Sequence, residues 1–386
     1  MEQRSVRKTY KYKLNPTPEQ VRALETVLQR CRTLYNVALD QRRTAWERCR
    51  ISVSYYQQKA ELPGLKAACP EYAEVNAQVL QDVMLRVERT FQAFFRRVKN
   101  SEQPGYPRFQ GGTRYNSFTY PQYGAGAVLD GGVLNLSRIG RIPLRLHRPL
   151  GEGMPKTVTI SREADGRYAC ISCVEVPTVP LPPTGRETGI DVGLKVFLAT
   201  AEGGVIENPR YFRKAEKQLA KAQRRVSCRK KGSTRRKKAI AWLRRKHQRV
   251  QRQRRDFHHK TALCLLRTYD TMYLEDLQVR NMVRNHHLAK SISDAGWAAF
   301  RTILEAKAAC AGRRVIAVPP AYTSQDCSGC GERVHKSLSV RTHVCTHCGL
   351  VMDRDENAAR NIQWAGQALR GVAGMPAAMN REAPCL

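Results

Sequence analysis

No run of 18 or more apolar residues occurs in the 386-residue sequence, so no transmembrane helix is expected. The opening Met-Glu-Gln-Arg-Ser-Val-Arg-Lys carries no apolar signal core, and export is not expected either. Acidic residues are scarce: 33 Asp and Glu stand against 67 Lys and Arg, a formal net charge of +34 with a pI of about 10.1. That imbalance calls for a polyanion gripped through its phosphates, with affinity falling as salt rises. A membrane surface is the rival polyanion, but without a span or a signal the reading is nucleic acid. No internal repeat is present. The 13 cysteines are an odd number in a chain without a secretory signal, and they read as reduced thiols, some of them binding metal. Cys170 and Cys173 lie in a strand pattern, where residues three apart face opposite sides, so no chelation is expected there.

The length allows several domains. Residues 5–14 read as a strand, and Thr17-Pro18-Glu19-Gln20 as the capped start of a helix that carries Val21, Leu24, Val27, Leu28, Cys31, Tyr35, Ala38 and Leu39 at helical spacing. A second amphipathic helix is expected over about 76–98, with a break near Pro63-Gly64 and Pro70. From Pro104 the texture turns to Gly, Pro and aromatic residues. Strands are expected at 127–136, 141–146, 156–162 and 167–177. With the first strand they suggest a small antiparallel barrel holding a helical insertion, and the basic and aromatic residues at 106–121 suggest nucleic-acid contact. Val179-Pro-Leu-Pro-Pro-Thr-Gly reads as a linker.

Strands follow at 187–192, 196–200 and 203–207. Residues 213–260 then hold 21 Lys and Arg against 2 Asp and Glu, more than half of the excess charge. Sparse apolar spacing and a break at Gly232-Ser233 make this a hairpin of two basic helices, read as binding a phosphate backbone through Arg224, Arg225, Lys230, Lys231, Arg235, Arg236, Lys237, Arg244 and Arg245. A strand at 270–275, a helix at 294–311, a strand at 313–318 and a closing helix at 353–370 complete the order β-β-β-α-β-α-β-α, which matches an RNase H-like fold.

Three acids organise the chemistry: Asp191 in Gly189-Ile-Asp-Val-Gly193, Glu275 ending Met272-Tyr-Leu, and Asp355 in Asp353-Arg-Asp-Glu-Asn. Phosphodiester hydrolysis needs an activated water and a neutralised leaving oxygen, and two divalent ions supply both. Hard cations such as Mg²⁺ take oxygen ligands, so carboxylates must converge. Two carboxylates about 5 Å apart repel by roughly 3 kcal/mol at an effective dielectric near 20, which packing alone does not offset. Each acid has a bland alternative. Asp191 could end a strand, Glu275 competes with Asp276, and Asp355 competes with Asp353 and Glu356 and could serve as a helix cap. Cys327-Ser-Gly-Cys330 and Cys345-Thr-His-Cys348, separated by 14 residues, have the spacing of a zinc ribbon. Four thiolates close a tetrahedral structural site around Zn²⁺. His335, His343 and His347 are the candidate substitutes for one of them.

These blocks resemble the TnpB family of insertion-sequence proteins, relatives of type V CRISPR nucleases. The resemblance runs from Asn15-Pro-Thr17 and Arg32-Thr-Leu-Tyr-Asn36 through Phe94-Phe-Arg-Arg97, Pro107-Arg-Phe109 and Ser117-Phe-Thr-Tyr-Pro121. It continues with Gly189-Ile-Asp-Val-Gly193, Arg254-Arg-Asp-Phe-His-His-Lys260, Leu274-Glu-Asp-Leu277, Leu288-Ala-Lys-Ser-Ile-Ser-Asp-Ala-Gly-Trp297, Tyr322-Thr-Ser-Gln325, both cysteine pairs and Asp353 to Ile362. It implies a multidomain α+β chain: a wedge-like β-barrel (1–14 and 104–183), a helical recognition lobe (15–103), a RuvC-like nuclease domain (184–320 and 352–372, with its basic hairpin at 208–268), a zinc ribbon (321–351) and a disordered tail (373–386). It implies an RNA-guided DNA endonuclease in which a guide RNA pairs with target DNA beside a short motif read by the protein. Asp191, Glu275 and Asp355 would hold two Mg²⁺ ions, and Met282–Ser293 would be a mobile lid. A monomer in a prokaryotic cytoplasm is expected. The alternatives are a non-cleaving RNA-guided regulator, a dedicated small CRISPR effector and a transposase. Ala306 departs from the family's aromatic residue at that position.

Overall fold

The computed structural model describes residues 5–337 and 340–373. Contacts divide the chain into one unit ending at Pro177 and a second beginning at Thr178. The tail expected at 373–386 lies outside the described residues, apart from its first residue, Ala373, which ends the last helix.

The first unit opens with β1 (Ser5–Leu14) and α1 (Pro18–Cys49). Thr17 and Gln20 form the expected capping box, with the Gln20 amide 3.3 Å from the Thr17 hydroxyl and the Thr17 amide 3.0 Å from the Gln20 side chain. Leu24, Leu28, Cys31, Tyr35 and Leu39 give α1 its buried stripe. Short helices α2 (Tyr55–Ala60), α3 (Leu62–Ala68) and α4 (Pro70–Ala73) fill the expected break, and α5 (Ala77–Lys99) packs along α1.

The sheet adds β2 (Ser117–Tyr120), β3 (Ala127–Asp130), β4 (Val133–Leu136), β5 (Gly140–Arg145), β6 (Met154–Glu163) and β7 (Gly166–Pro177). Its order is β2-β6-β7-β1-β5-β4-β3, antiparallel throughout. The expected barrel is therefore a curled, open half-barrel: β2 and β3 are edges that do not pair with each other among the described residues. The single strand expected at 127–136 is a hairpin, because Gly131 and Gly132 both take positive φ and reverse the chain. β2 was not anticipated, since four residues between Gly- and Pro-rich segments carry little periodic signal. Tyr12, Tyr120, Leu134, Ile142 and Ile171 are fully buried in this core. Each burial of that size contributes about 2 kcal/mol. Cys173 faces the core and Cys170 the other side of β7, so the pair does not chelate.

The second unit begins with β8 (Glu187–Val192), β9 (Val196–Thr200) and β10 (Val205–Glu207). The basic helices α6 (Tyr211–Ser227) and α7 (Thr234–Thr268) follow, and then β11 (Thr271–Glu275). Helices α8 (Val279–Met282), α9 (His286–Ala295) and α10 (Trp297–Ala311) lead to β12 (Arg314–Val318). The hairpin β13 (Thr342–Val344) and β14 (Val351–Asp353) precedes α11 (Arg354–Ala373). The five-stranded sheet runs β10-β9-β8-β11-β12, with β8, β11 and β12 parallel and β9 and β10 antiparallel. Helices α7 and α10 bury Ile190, Leu198, Met272 and Leu274 on one face, while α11 covers the other, packing its Ile362 with Tyr273 and Val318.

Helices α8 and α9 occupy the stretch expected as a lid. Asp294 anchors α9 by accepting the Phe212 and Arg213 amides at 2.9 and 3.2 Å, which caps the start of α6. The proline-rich segment expected as a linker is tied to this unit: the Val179 and Leu181 amides donate to the Cys310 and Ala311 carbonyls, and Arg313 donates to the Pro182 carbonyl at 2.6 Å. No described helix is long and apolar enough to cross a membrane.

Candidate active site

Asp191 and Glu275 end neighbouring parallel strands. Ile190 registers with Leu274, so the two acids stand one residue beyond that pair, side by side at the carboxyl ends of β8 and β11. Carboxyl ends of parallel strands are where α/β sheets place ligands. Pleating puts Gly189 and Asp191, with Tyr273 and Glu275, on the face that α11 covers. Period-2 alternation left that face unassigned, and α11 settles it. Asp276 points elsewhere and pairs with Arg301 at 2.5 Å.

The three acids around the start of α11 have separate tasks. Asp353 caps the helix, accepting the Asp355 amide at 2.8 Å and the Glu356 amide at 3.4 Å. Glu356 pairs with Arg360 along the helix at 2.7 Å. Asp355, only 8% exposed, is held by Arg341 at 3.2 Å and Arg354 at 3.3 Å. The cap alternative thus belongs to Asp353. Glu275 accepts a hydrogen bond from the Thr323 hydroxyl.

Electrostatics links the three. Burial, then the charges of Glu275 and Asp355, push Asp191 up to about 8, while Arg354 and Arg341 act in the opposite direction. Burial also raises Glu275, against the hydrogen bond from Thr323. Arg341 and Arg354 offset part of this crowded negative charge, and an all-oxygen donor set suits a hard divalent ion. By donor type the residues therefore fit Mg²⁺.

Sequence reasoning did not single out Thr323, Arg341, Asn357 or Asn361. Asn357 and Asn361, one helical turn apart on α11, both reach the backbone just before the first cysteine turn, and Asn357 also reaches Ser328 within it. Their i, i+4 spacing beside Asp355 was the available signal.

Cys327, Cys330, Cys345 and Cys348 converge, with all four sulfurs within 4.8 Å of one another. Cys327 to Cys348 and Cys330 to Cys345 are each 3.6 Å. A tetrahedron with bonds of about 2.3 Å has edges of about 3.8 Å, so the cluster fits a closed four-sulfur metal site. The Cys348 amide is the largest influence on Cys345 and helps bring it down to about 6, while burial raises Cys327, and burial and the neighbouring cysteines raise Cys330 against the Glu332 amide, so the four thiols do not ionise together. No histidine joins the cluster among the described residues; His343 is buried beside Lys336.

On the basic hairpin, Arg224, Arg225, Lys230, Lys231, Arg235, Lys237, Arg244 and Arg245 are exposed. Arg236 differs. It donates to the Val226 and Arg229 carbonyls at 3.1 and 2.8 Å, closing the end of α6 against α7. Arg225 and Lys246 lie over the Trp242 ring at 5.8 and 5.4 Å.

Fold and site thus define a two-unit α+β protein with three acids at a sheet's carboxyl edge beside a four-cysteine module. Residues 171–286 match the family described as "Probable transposase", residues 297–362 the "Cas12f1-like, TNB domain", and residues 1–50 a "Helix-turn-helix domain". Within that last stretch, the described residues form one strand and a single unbroken helix. A Streptomyces pristinaespiralis protein named "Putative RNA-guided DNA endonuclease" is 38% identical over 94% of this chain and 90% of its own length. An Escherichia coli K12 protein, "Putative RNA-guided DNA endonuclease InsQ", is 29% identical over 93% and 92%. A chain of the cryo-EM Cas12f1–sgRNA–target DNA complex shares the fold, with a TM-score of 0.57, 15% identity and coverage of 89% and 82%. The chain belongs to the TnpB family, related to type V CRISPR effectors.

Proposed function

We propose that this chain is an RNA-guided DNA endonuclease whose second unit is an RNase H-like, RuvC-type nuclease domain. One observation carries the reading: Asp191 is buried close enough to Glu275 and Asp355 that burial first, and then their charges, push it up to about 8. The names of the full-length relatives support the same activity.

In this reading the three acids hold two Mg²⁺ ions. When bound, the pair supplies positive charge at the attacking and leaving oxygens of a phosphodiester. Thr323 orients Glu275, and Arg341 and Arg354 hold Asp355 at the start of α11. The four cysteines hold Zn²⁺ as a structural ion. A guide RNA pairs with one strand of the target DNA beside a short motif. That strand exchange is nearly neutral in energy, so protein contacts to the backbones must tip it. The exposed arginines and lysines of α6 and α7 suit that task, and residues 1–14 and 104–183, with 15–103, serve as wedge and recognition lobe.

The test is Asp191→Ala in the RNA-loaded protein. Mg²⁺-dependent cutting of target DNA should vanish while guided binding persists; undiminished cutting refutes the assignment. Sequencing the copurifying RNA identifies the guide. Joined DNA ends formed without RNA would instead favour a transposase.

A further inference from the structure

We infer that Asn357 and Asn361 are positioning residues that couple metal occupancy of the cysteine module to the divalent-ion affinity of the acidic site. This rests on the reading above, in which Asp191, Glu275 and Asp355 hold divalent cations.

The connection is short at every step. Asn357 is fully buried two residues after Asp355 on α11. Its side-chain oxygen accepts the Ser328 amide at 2.8 Å, and its side-chain nitrogen donates to the Asp326 carbonyl at 2.8 Å. Ser328 is the first residue inside the Cys327–Cys330 turn. One turn further on, Asn361 donates to the Thr323 and Asp326 carbonyls at 2.8 and 2.7 Å. Thr323 in turn donates its hydroxyl to Glu275. The backbone from 323 to 328 is thus clasped by α11, which carries Asp355, and touches Glu275 directly.

The chemistry makes this clasp conditional on the metal. An ion bonded to all four sulfurs, which lie within 4.8 Å of one another, cross-links the Cys327–Cys330 and Cys345–Cys348 turns. Without it that cross-link is lost, and a shift of the 326–328 backbone strands the polar groups of a fully buried Asn357. Buried groups left without partners are costly, so α11 must move with the turn. Both asparagines bond only to main-chain atoms of this segment, so they register where the turn's backbone lies. A shift of α11 or of Thr323 then separates Asp355 and Glu275 from Asp191. Outer-shell contacts of this kind are typically worth about 10- to 100-fold in metal affinity.

The experiment uses the full-length chain, with Mn²⁺ binding followed by calorimetry and Zn²⁺ release followed with a chromogenic chelator. Asp191→Asn should abolish Mn²⁺ binding at the acidic site. Asn361→Ala and Asn357→Ala should speed Zn²⁺ release and weaken Mn²⁺ binding by about tenfold or more. Thr323→Val, which keeps the backbone carbonyl that Asn361 uses, should weaken Mn²⁺ binding and leave Zn²⁺ release unchanged; it also guards against a misfolded asparagine variant. Zinc-stripped parent should match Asn361→Ala, and stripping that variant should add nothing further. Equal Mn²⁺ affinity with and without zinc, or in parent and asparagine variants, overturns the coupling alone. Mn²⁺ binding indifferent to Asp191→Asn overturns the reading of the acids as cation ligands, and this inference with it.

Discussion

Gly189 and Ala359 touch through their main chains: a Cβ on Gly189 would lie 1.9 Å from the Ala359 carbonyl oxygen. Helix α11 therefore crosses β8 with no side chain between them, and Asp355, one turn before Ala359, is set down over the end of the strand that carries Asp191. Gly366 repeats the device further along, where a Cβ would meet the Tyr273 ring at 2.0 Å.

Gly189→Ala should therefore be among the most damaging single-methyl changes in the second unit. Overpacking costs about 1–3 kcal/mol, and the upper end is expected because the obstacle is backbone. Urea unfolding measures that loss. Displacing Asp355 by about 1 Å should also lower cleavage roughly a hundredfold. Gly371→Ala is the control, since nothing lies within 4 Å of a Cβ there.

Asp191 makes the metal-free protein less stable as pH rises. Its folded value, about 8, lies above its ordinary 3.8, so the folded chain binds more protons between those limits and loses stability upward through that window. In EDTA, Asp191→Asn should unfold at higher temperature than the parent at pH 8.5, with a gain on the order of 2 kcal/mol or more, and the gap should close near pH 4. A variant less stable than the parent at pH 8.5 would contradict the crowding of the three acids.

His258 works with the opposite slope. It is buried between Phe197, Phe257 and Phe300, with Arg254 and His259 nearby, and its Nε2 donates to the Ala295 carbonyl at 2.9 Å. Burial lowers it from 6.5 to about 4. The unfolded chain takes up a proton first as pH falls, so stability is lost from about 6.5 down to 4 and levels off below. The loss should be about 3 kcal/mol. His258→Gln keeps a donor to Ala295 and should flatten that part of the pH profile.

The basic hairpin separates binding from folding. Replacing Lys230, Lys231, Arg235 and Lys237 with Ser should weaken nucleic-acid binding and reduce the slope of log affinity against log salt, leaving thermal unfolding unchanged. Arg236→Ala should instead lower the unfolding temperature by freeing the Val226 and Arg229 carbonyls at the end of α6, a loss of about 1–2 kcal/mol. A quadruple variant with an unchanged salt slope would remove this face from the interface.

Local signals were legible where they are strong. The Thr17 capping box, the break at Gly232-Ser233 and the strands at β1 and β8 stand where periodicity and capping chemistry predicted them. The hairpin at Gly131-Gly132, strand β2 and helices α8 and α9 were not, because short elements stabilised by distant partners leave little trace in their own residues. Among the acids, motif and spacing named Asp191, Glu275 and Asp355, but could not show that Asp353 takes the capping role or that Asp276 turns to Arg301.

Residue type, spacing and the family's motifs defined the chemical inventory: three carboxylates able to ligate hard cations, four thiols spaced for zinc, and a dense run of fixed positive charge. Those are properties of covalent side chains and short-range periodicity, so a linear chain carries them in full. Which face of β11 is covered, how near α11 approaches β8, and whether Asn357 reaches the cysteine turn depend on contacts between residues far apart in sequence. Only the folded packing decides those, because each is the joint outcome of many long-range burials with no local code.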